Sequence, residues 1–227
     1  MDSPVEVHFY NRRILWAYFL VRNRVMSELA ARTRAGTLLD AGCGPGYLVA
    51  DLVKRFHGLN ALGLDISYEM LRTARGNLSQ SGLDGSVGLT EGSVQCLPFG
   101  DASLDTIVST LSLHHWPDAA KALREMRRVL KPGGELIVFD VRRDVRRAIY
   151  WLLRAGELVT VPRALRRYDA AISSVNSSYT PAEIEALMAR SGFGEWTVKP
   201  GLAWLTVRAV GVERGRGQRT HLEGLTP

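Results

Sequence analysis

Short apolar runs alternate with segments of helical periodicity along most of the chain. Thr37–Ala41, Leu59–Asp65 and Leu104–Ser109 are runs of strand length that are rich in aliphatic residues. Such strands are typical of parallel sheets that are buried on both faces. The same pattern predicts two further strands, at Ser86–Thr90 and Glu135–Asp140. It also predicts three helices, at Tyr47–Phe56, Ser67–Leu78 and Asp118–Leu130. This alternation predicts an α/β fold with a mostly parallel sheet and helices on both faces.

The C-terminal part has a different order of elements. A helix is predicted over Pro181–Ser191, with Thr180 as its N-cap and proline at its first position. Two strand-like runs follow, Glu195–Lys199 and Ala203–Val210, and the Lys-Pro-Gly between them is a turn signal. We therefore expect a seven-stranded sheet that ends in an antiparallel hairpin at its edge.

The elements group into a single expected domain over residues 1–210. Residues 8–29 predict a helix with a broad apolar face, residues 36–140 form the α/β core, and residues 141–179 are an insertion before the last helix. Residues 211–227 lack a hydrophobic pattern, and we expect them to be a flexible tail.

A glycine-rich turn follows the first predicted strand. Residues 40–46 read DAGCGPG, with glycine at every second position from Gly42 to Gly46. Glycines let the backbone approach a ligand closely, and the amides of the helix that follows can face a negative group. The spacing G-x-G-x-G differs from the G-x-G-x-x-G of dinucleotide-binding proteins. A dinucleotide oxidoreductase is therefore the weakest alternative.

A carboxylate follows the second predicted strand. Asp65 lies nineteen positions beyond Gly46, and its two oxygens can accept both hydroxyls of a ribose. The alternative is a helix-capping role, but Ser67 already occupies the N-cap position of the next helix.

Four motifs in order resemble one known family. They are Leu38–Gly46, Gly63–Arg75, Leu97–Asp118 and Leu123–Asp140, within residues 36–140. Their text and spacing are similar to class I S-adenosylmethionine-dependent methyltransferases of the small-molecule, type 11 group, which includes ubiquinone and menaquinone C-methyltransferases. The resemblance implies a Rossmann-like class I methyltransferase fold and S-adenosylmethionine as the cofactor, without a metal.

The resemblance also implies roles for individual residues. Asp40 would orient the methionine amino group, Asp65 would bind the ribose hydroxyls, and Ile66 and Met70 would flank the adenine. Ser93 stands where relatives usually have aspartate, so the adenine amino group loses a charged partner there. The other implied cofactor-binding residues are Gly42, Gly44, Gly46, Gly92, Val94 and Thr110.

Two histidines follow the fourth predicted strand, where the methyl acceptor should lie. Imidazole titrates near neutrality, so His114 and His115 are candidate bases for an acceptor that carries a proton. A structural role in the loop is the alternative that we rank first, and His115 is the better candidate base. In relatives an N-terminal helix often covers the cofactor, which makes Phe9, Tyr10 and Tyr18 candidate lid residues.

The charge of the chain is concentrated in the insertion. The 227 residues carry a formal net charge of +6, and residues 142–167 account for all of it, with eight arginines and two acids. Our preferred interpretation of this insertion is a helix that covers the pocket, with its arginines on the face toward solvent. The alternatives are an amphipathic helix on anionic lipid, with Tyr150 and Trp151 at the interface, and a site for an acidic acceptor. Nucleic acid ranks last, because no binding module accompanies the basic run.

The composition sets further limits. Hydrophobic residues at 46% and charged residues at 23% are ordinary globular values and exclude a disordered or fibrous chain. Cys43 and Cys96 form no CxxC pair, so a disulfide scaffold or zinc site is not expected, and Cys96 is predicted to be half-buried packing. Without a visible signal peptide or membrane span, we expect a cytoplasmic protein, at most peripheral at a membrane.

These features predict an enzyme that methylates a small, lipophilic or anionic acceptor. One alternative keeps the chemistry but places it on a membrane lipid or quinone. Another is a protein that binds S-adenosylmethionine without catalysis. The acceptor, the attacked atom and the oligomeric state stay open.

Overall fold

The computed structural model describes residues 22–30, 36–160 and 170–212. A helix, α1, covers residues 22–30. The remaining elements alternate as the sequence predicts. The strands are β1 (Gly36–Ala41), β2 (Leu59–Asp65), β3 (Val87–Glu91), β4 (Leu104–Thr110), β5 (Leu130–Val141), β6 (Glu195–Pro200) and β7 (Trp204–Val210). The helices are α2 (Tyr47–Arg55), α3 (Tyr68–Gln80), α4 (Ala119–Val129), α5 (Arg147–Thr160), α6 (Ala170–Ser177) and α7 (Pro181–Ser191), with a 3-10 turn at Leu113–His115.

All seven strands form one sheet, in the order β3-β2-β1-β4-β5-β7-β6. The first five in this order pair in parallel, and β7 runs antiparallel to both β5 and β6. The predicted seven-stranded sheet and its antiparallel edge hairpin are therefore confirmed. The chain reverses its direction of winding between β1 and β4, and in such sheets ligands bind beyond the strand ends at this switch point.

Alternate residues of the central strands face two separate layers of helices. Leu38 of β1 and Val108 of β4 pack with α1 and α2, where Leu29 is fully buried. The adjacent Leu39 and Ile107 pack on the other side, in a cluster that includes α4 and α7. Both faces of the sheet are thus covered, which is why its strands read as continuous apolar runs.

Local capping signals agree with the observed helix starts. The Ser67 hydroxyl accepts a hydrogen bond from the Met70 amide at 3.4 Å, as its predicted N-cap role requires. Thr180 and Glu183 form a reciprocal capping box at the start of α7. These side chains satisfy backbone groups that the first helical turn leaves unpaired.

Strand β5 begins earlier than predicted. The Lys-Pro-Gly-Gly segment before Glu135 was expected to be a turn, but β5 already starts at Leu130, which pairs with Leu104. The pairing with β4 shifts register between Leu104 and Thr106. Hydrogen bonds join Gly133 and Gly134 to Gly211, so this segment is held as an irregular start of the strand.

The two ends of the insertion lie side by side. Arg142 and Tyr179 form a parallel bridge, and the Arg143 amide donates to the Tyr179 carbonyl at 3.2 Å. The Arg143 side chain pairs with Glu183 of α7. Arg142 pairs with Asp144, and its guanidinium donates to the Gly201 carbonyl at 2.9 Å. Helices α5 and α6 therefore belong to a segment whose ends are fixed beside β5 and β7.

Four predictions fall wholly or partly outside the described residues, among them the insertion, of which residues 161–169 are not described. The proposed lid residues Phe9, Tyr10 and Tyr18 and most of the tail at 211–227 lie there. Of the N-terminal segment, only the part in α1 is described, and its Val25 and Leu29 are buried against the sheet.

A prediction that is wrong concerns Cys96, which is exposed rather than half-buried because its short bridge with Ser93 lies at the surface.

Candidate functional site

A pocket of about 320 Å³ lies at the carboxyl ends of β1, β2 and β4. This volume is at the lower end of the range of small-molecule sites. Ten of the predicted site residues line it: Gly42, Gly44, Asp65, Ile66, Met70, Gly92, Ser93, Val94, Thr110 and His115. Three do not, namely Asp40, Gly46 and His114. The structure thus brings most of the predicted residues into one cavity, although they come from four separate segments of the chain.

The glycine turn is held against β2 by backbone hydrogen bonds. The amides of Gly42 and Cys43 both donate to the Leu64 carbonyl, at 2.7 and 3.0 Å. Gly44 has φ +50°, and a Cβ added there would meet no atom within 4 Å. Since Gly44 lines the pocket, a side chain at this position would enter the space that a ligand needs.

The other two glycines of the turn serve packing. A Cβ at Gly42 would lie 2.1 Å from the Ser112 hydroxyl, and one at Gly46 would lie 3.0 Å from the Cβ of Ala74 in α3. Gly42 therefore allows the β1 and β4 loops to touch, while Gly46 allows α2 and α3 to approach each other. Of the three glycines, only Gly44 both lines the pocket and has open space where a Cβ would lie.

The Asp65 carboxylate is oriented by the backbone around it. Its Oδ2 accepts from the Gly44 amide at 2.8 Å and its Oδ1 from the Ser67 amide at 2.9 Å. Burial raises the pKa of Asp65, and these hydrogen bonds partly oppose the rise. Each oxygen keeps a further lone pair, so the fixed carboxylate can also accept two hydroxyl groups.

Asp40 is a buried carboxylate without a hydrogen-bond partner among the described residues. It is 1% exposed and lies behind the glycine turn rather than on the pocket wall. Burial, with a smaller contribution from the charge of Asp65, raises the pKa of Asp40 to about 8. A buried carboxylate of this kind is stabilised by a cation, such as the ammonium group of an amino acid.

The far end of the pocket has an apolar wall and a serine. Ile66 is 74% exposed, while Met70 is buried beneath it in the first turn of α3. The Ser93 hydroxyl accepts from the Gln95 amide at 3.2 Å, which leaves it a donor and one further acceptor site. The Gly92 amide donates to the Asp65 carbonyl at 2.9 Å and joins this corner to the carboxylate.

The two histidines have different surroundings. His115 is exposed to the pocket and lines its wall. Partial burial and the charge of His114 lower the pKa of His115, while Asp140 opposes them. The His114 side chain is only 3% exposed, and its Nδ1 lies 2.8 Å from Oδ1 of Asp140. Of the two, only His115 can meet a ligand in the pocket.

The loop after β4 closes the pocket through residues that were not predicted. The buried Trp116 indole donates to the Ser112 hydroxyl at 3.0 Å, and that hydroxyl lies against Gly42. Leu111 lines the same wall with φ +53°, a conformation that a leucine rarely adopts. Such strain is typical of functional sites.

The remaining residues of the wall also escaped prediction. They are Cys43, Pro45, Tyr47, Leu48, Leu64, Ser67 and Pro117. Five of them adjoin a predicted site residue in sequence, and Leu48 and Pro117 lie two positions from one. Their position directly after a parallel strand was a signal that could have identified them.

The pocket fits the cofactor that the resemblance implies. Asp65 offers a diol acceptor, Gly44 leaves space beside its backbone, and Asp40 offers a buried carboxyl group without a hydrogen-bond partner among the described residues. S-adenosylmethionine carries a ribose diol and an ammonium group that match these two carboxylates. Among the described residues, no three His, Cys, Asp or Glu side chains come together as a metal site.

Comparisons with known proteins point in the same direction. Residues 39–138 match a family model described as a methyltransferase domain. The chain is 30% identical over 189 residues to the ubiquinone/menaquinone biosynthesis C-methyltransferase UbiE of Cronobacter sakazakii, covering 79% of this chain and 72% of that protein. It is 36% identical over 104 residues to the methyltransferase GfsG of Streptomyces halstedii, covering 46% of this chain and only 37% of that protein.

A solved structure shares the fold. It is a protein of Methanococcus maripaludis described as an S-adenosyl-L-methionine-dependent methyltransferase, with a TM-score of 0.64 and 24% identity. The match covers 84% of both chains. At this identity the similarity shows a common architecture.

Proposed function

The chain belongs to the class I S-adenosylmethionine-dependent methyltransferases, and we propose that it methylates a small, lipophilic acceptor by in-line displacement. One observation carries the proposal. A single pocket joins the predicted cofactor wall, at Gly44 and Asp65, to a second wall at Leu111, His115 and Trp116. Donor and acceptor could therefore lie in contact within one cavity.

The roles of the residues follow from their positions. Asp65 would hold the ribose diol, Asp40 the ammonium group, and Ile66 and Met70 the adenine faces. The cofactor supplies a methyl group on a sulfonium, whose neutral thioether leaving group needs no acid. Catalysis then rests mainly on alignment of the two reactants at near-contact distance. His115 is the group on the wall that could accept an acceptor proton.

The apolar character of the acceptor wall supports a lipophilic substrate. Leu111, Trp116 and Pro117 form most of this side, and none of the described residues that line it is a carboxylate. Relatives named for ubiquinone and menaquinone biosynthesis are consistent with such an acceptor. A hydrophobic wall of this kind favours ring or chain groups over strongly hydrated ones.

A screen with methyl-labelled donor tests the proposal. Cell extract is incubated with the protein and labelled S-adenosylmethionine, and products are separated into organic and aqueous phases. We expect labelled product in the organic phase with the wild type and none with the Asp65→Ala variant, which lacks the diol acceptor. Cofactor binding by calorimetry without any labelled product would instead favour a protein that binds the cofactor without catalysis.

A second candidate places the same chemistry at an anionic membrane surface, and one face of α5 favours it. Arg147, Trp151 and Arg154 lie at helical spacing on this face, and all three are exposed. Trp151 is 61% exposed, and the Arg154 guanidinium lies 6.0 Å from its ring centre. No acidic residue occurs between positions 145 and 156. Arginines beside an exposed tryptophan suit the interface of an anionic bilayer.

Leu202 is a second exposed apolar side chain near the start of the insertion. It is 67% exposed in the β6–β7 turn, next to Gly201, whose carbonyl accepts from Arg142. The turn therefore lies beside the start of the insertion and adds an apolar anchor. Among the described helices, none is both long and apolar enough to cross a bilayer.

Vesicle co-sedimentation tests this second candidate. The wild type should sediment with vesicles that contain anionic lipid, and high salt should release it because surface charges are screened. Trp151→Ser and Arg147→Gln should each reduce binding, whereas the exposed Arg75→Gln in α3 is the matched control. Equal recovery with neutral and anionic vesicles, or none with either, would rule the membrane version out.

A further inference from the structure

The carboxylate of Asp140 joins the end of β5 to the turn that carries the histidines. It is 1% exposed and accepts three hydrogen bonds. Its Oδ2 accepts from the His114 amide at 3.0 Å. Its Oδ1 accepts from the Val141 amide at 2.7 Å and from Nδ1 of His114 at 2.8 Å. Because a carboxylate only accepts, the proton of this last bond lies on Nδ1.

This arrangement fixes the His114 ring against the ring of His115. Their centroids are 4.0 Å apart with a tilt of 46°. Nε2 of His114 is buried and has no hydrogen-bond partner among the described residues. His114 itself is not part of the pocket wall, whereas His115 is. A buried ring held by a carboxylate thus lies directly behind the exposed ring.

We propose that Asp140 and His114 are positioning residues for methyl transfer, which together present His115 to the acceptor as a neutral base. Asp140 anchors both the backbone and the ring of His114, and the His114 ring in turn supports His115. Two charged imidazoles at this distance repel each other, so a charge on His114 disfavours a second one on His115. The inference rests on the proposed function, because it assumes an acceptor that loses a proton.

The step balances in atoms and charge. The bond from sulfur to the methyl carbon breaks as the bond from methyl to the acceptor atom forms. The acceptor's proton passes to His115, so the positive charge of the sulfonium ends on the imidazolium. The thioether and the methylated acceptor are both neutral.

Within the part of the chain that the structure describes, few other charged groups act on His115. Its pKa is lowered by burial and by the charge of His114, and Asp140 opposes this effect. Helix α6 packs against the turn, and its residues 170–177 include no titratable side chain. Asp118, at the start of α4, accepts from the Lys121 amide and caps that helix. The coupling between the two rings is therefore the interaction to test.

Histidine titration by NMR tests the inference without an acceptor. In His114→Asn the side-chain amide can still donate to Asp140, but it carries no charge. We expect the midpoint of the His115 titration to rise by about 0.5–1 pH unit, since the repulsive neighbour is gone. The exposed His57→Asn is the matched control and should leave His115 unchanged. A purely structural role for His114 would also leave it unchanged, and that result would overturn the proposal.

The wild type provides a second test that does not depend on folding of the variant. The midpoint of the His115 titration should lie below the ordinary histidine value of about 6.5, because burial and the charge of His114 lower the pKa of His115. A midpoint at or above that value would also overturn the proposal. Calorimetry with S-adenosylmethionine distinguishes failure of the proposed function from failure of this inference. Absence of cofactor binding would refute the proposed function, whereas the interaction between the two histidine rings is measured by the titration alone.

Discussion

The two sides of the pocket consist of different chemical groups. The cofactor side, after β1, β2 and β3, consists of backbone amides and buried carboxylates that hold one another, as Gly44 and Asp65 do. The acceptor side, after β4 and β5, combines an apolar wall with an insertion whose described arginines, except Arg142, are exposed. Substitutions on the first side should therefore act on affinity and stability together. Substitutions on the exposed face of the insertion should leave cofactor affinity and stability unchanged. They should instead alter binding of the acceptor or of a membrane surface.

The largest effect is expected at Asp65. In Asp65→Asn the side chain loses its charge and one acceptor oxygen, so hydrogen bonds to the ribose weaken. We expect the Kd for S-adenosylmethionine to rise about 10- to 100-fold, as for loss of bonds to a charged group. Calorimetry measures it, with the exposed Asp84→Asn as control. Equal affinity in both variants would remove Asp65 from the cofactor site.

Two glycines only two positions apart should respond differently. Gly42→Ala puts a methyl group 2.1 Å from the Ser112 hydroxyl, and we expect a loss of about 2–4 kcal/mol in unfolding free energy. Gly44→Ala meets no atom, so its cost in stability should be only about 1 kcal/mol. The Gly44 variant should instead bind the cofactor about tenfold more weakly. Urea unfolding and calorimetry together distinguish these outcomes.

Asp40 should make the stability of the cofactor-free protein depend on pH. Its pKa is about 8 in the folded protein and 3.8 ordinarily, so the folded state holds more protons between these values. Stability contributed by the protonated group is therefore full below pH 4 and is lost as pH rises toward 8. Asp40→Asn stays neutral, and we expect it to be more stable than the wild type at pH 8 by roughly 1–3 kcal/mol.

Urea unfolding at pH 5 and pH 8 measures this difference, and calorimetry should show weaker cofactor binding by the same variant. A gain in stability combined with a loss of affinity would show that Asp40 destabilises the folded protein but contributes to cofactor binding. A parallel pH dependence in wild type and variant would contradict this assignment. Asp84→Asn again serves as the control.

The smallest effect is expected on the insertion. Arg147 and Arg154 are exposed on α5, so Arg147→Gln and Arg154→Gln should change the unfolding free energy by less than about 0.5 kcal/mol. Cofactor affinity should also stay the same, because neither residue lines the pocket. Thermal unfolding and calorimetry check both statements. A large loss in either measurement would mean that the insertion is part of the cofactor side.

The cofactor side was also the more predictable one from sequence. Its elements are local: a strand, a glycine turn and a helix cap such as Ser67 occupy adjacent positions, so periodicity and spacing specify them. The placement of Asp65 after β2 follows from the same rule. The start of β5 was harder, because Leu130 joins the strand only through its pairing with Leu104 and through contacts of Gly133 with Gly211.

The acceptor side depends on contacts between distant positions. Asp140 reaches His114 across 26 residues, and nothing in the local sequence around either residue indicates that bond. The strained backbone of Leu111 and the contact of Ser112 with Gly42 likewise arise only when the strands assemble. Sequence patterns therefore found the histidine pair and favoured His115 as the base, but they did not indicate the bond that holds His114.

The paired ends of the insertion have an evolutionary consequence. Because Arg142 and Tyr179 are adjacent, the chain between them begins and ends at one point of the scaffold. The entropy of closing such a loop grows only slowly with its length, so segments of other lengths could be exchanged there with little cost to the sheet. Selection could thus exchange the segment between Arg142 and Tyr179 for another, while the sheet and the pocket residues before it stay unchanged.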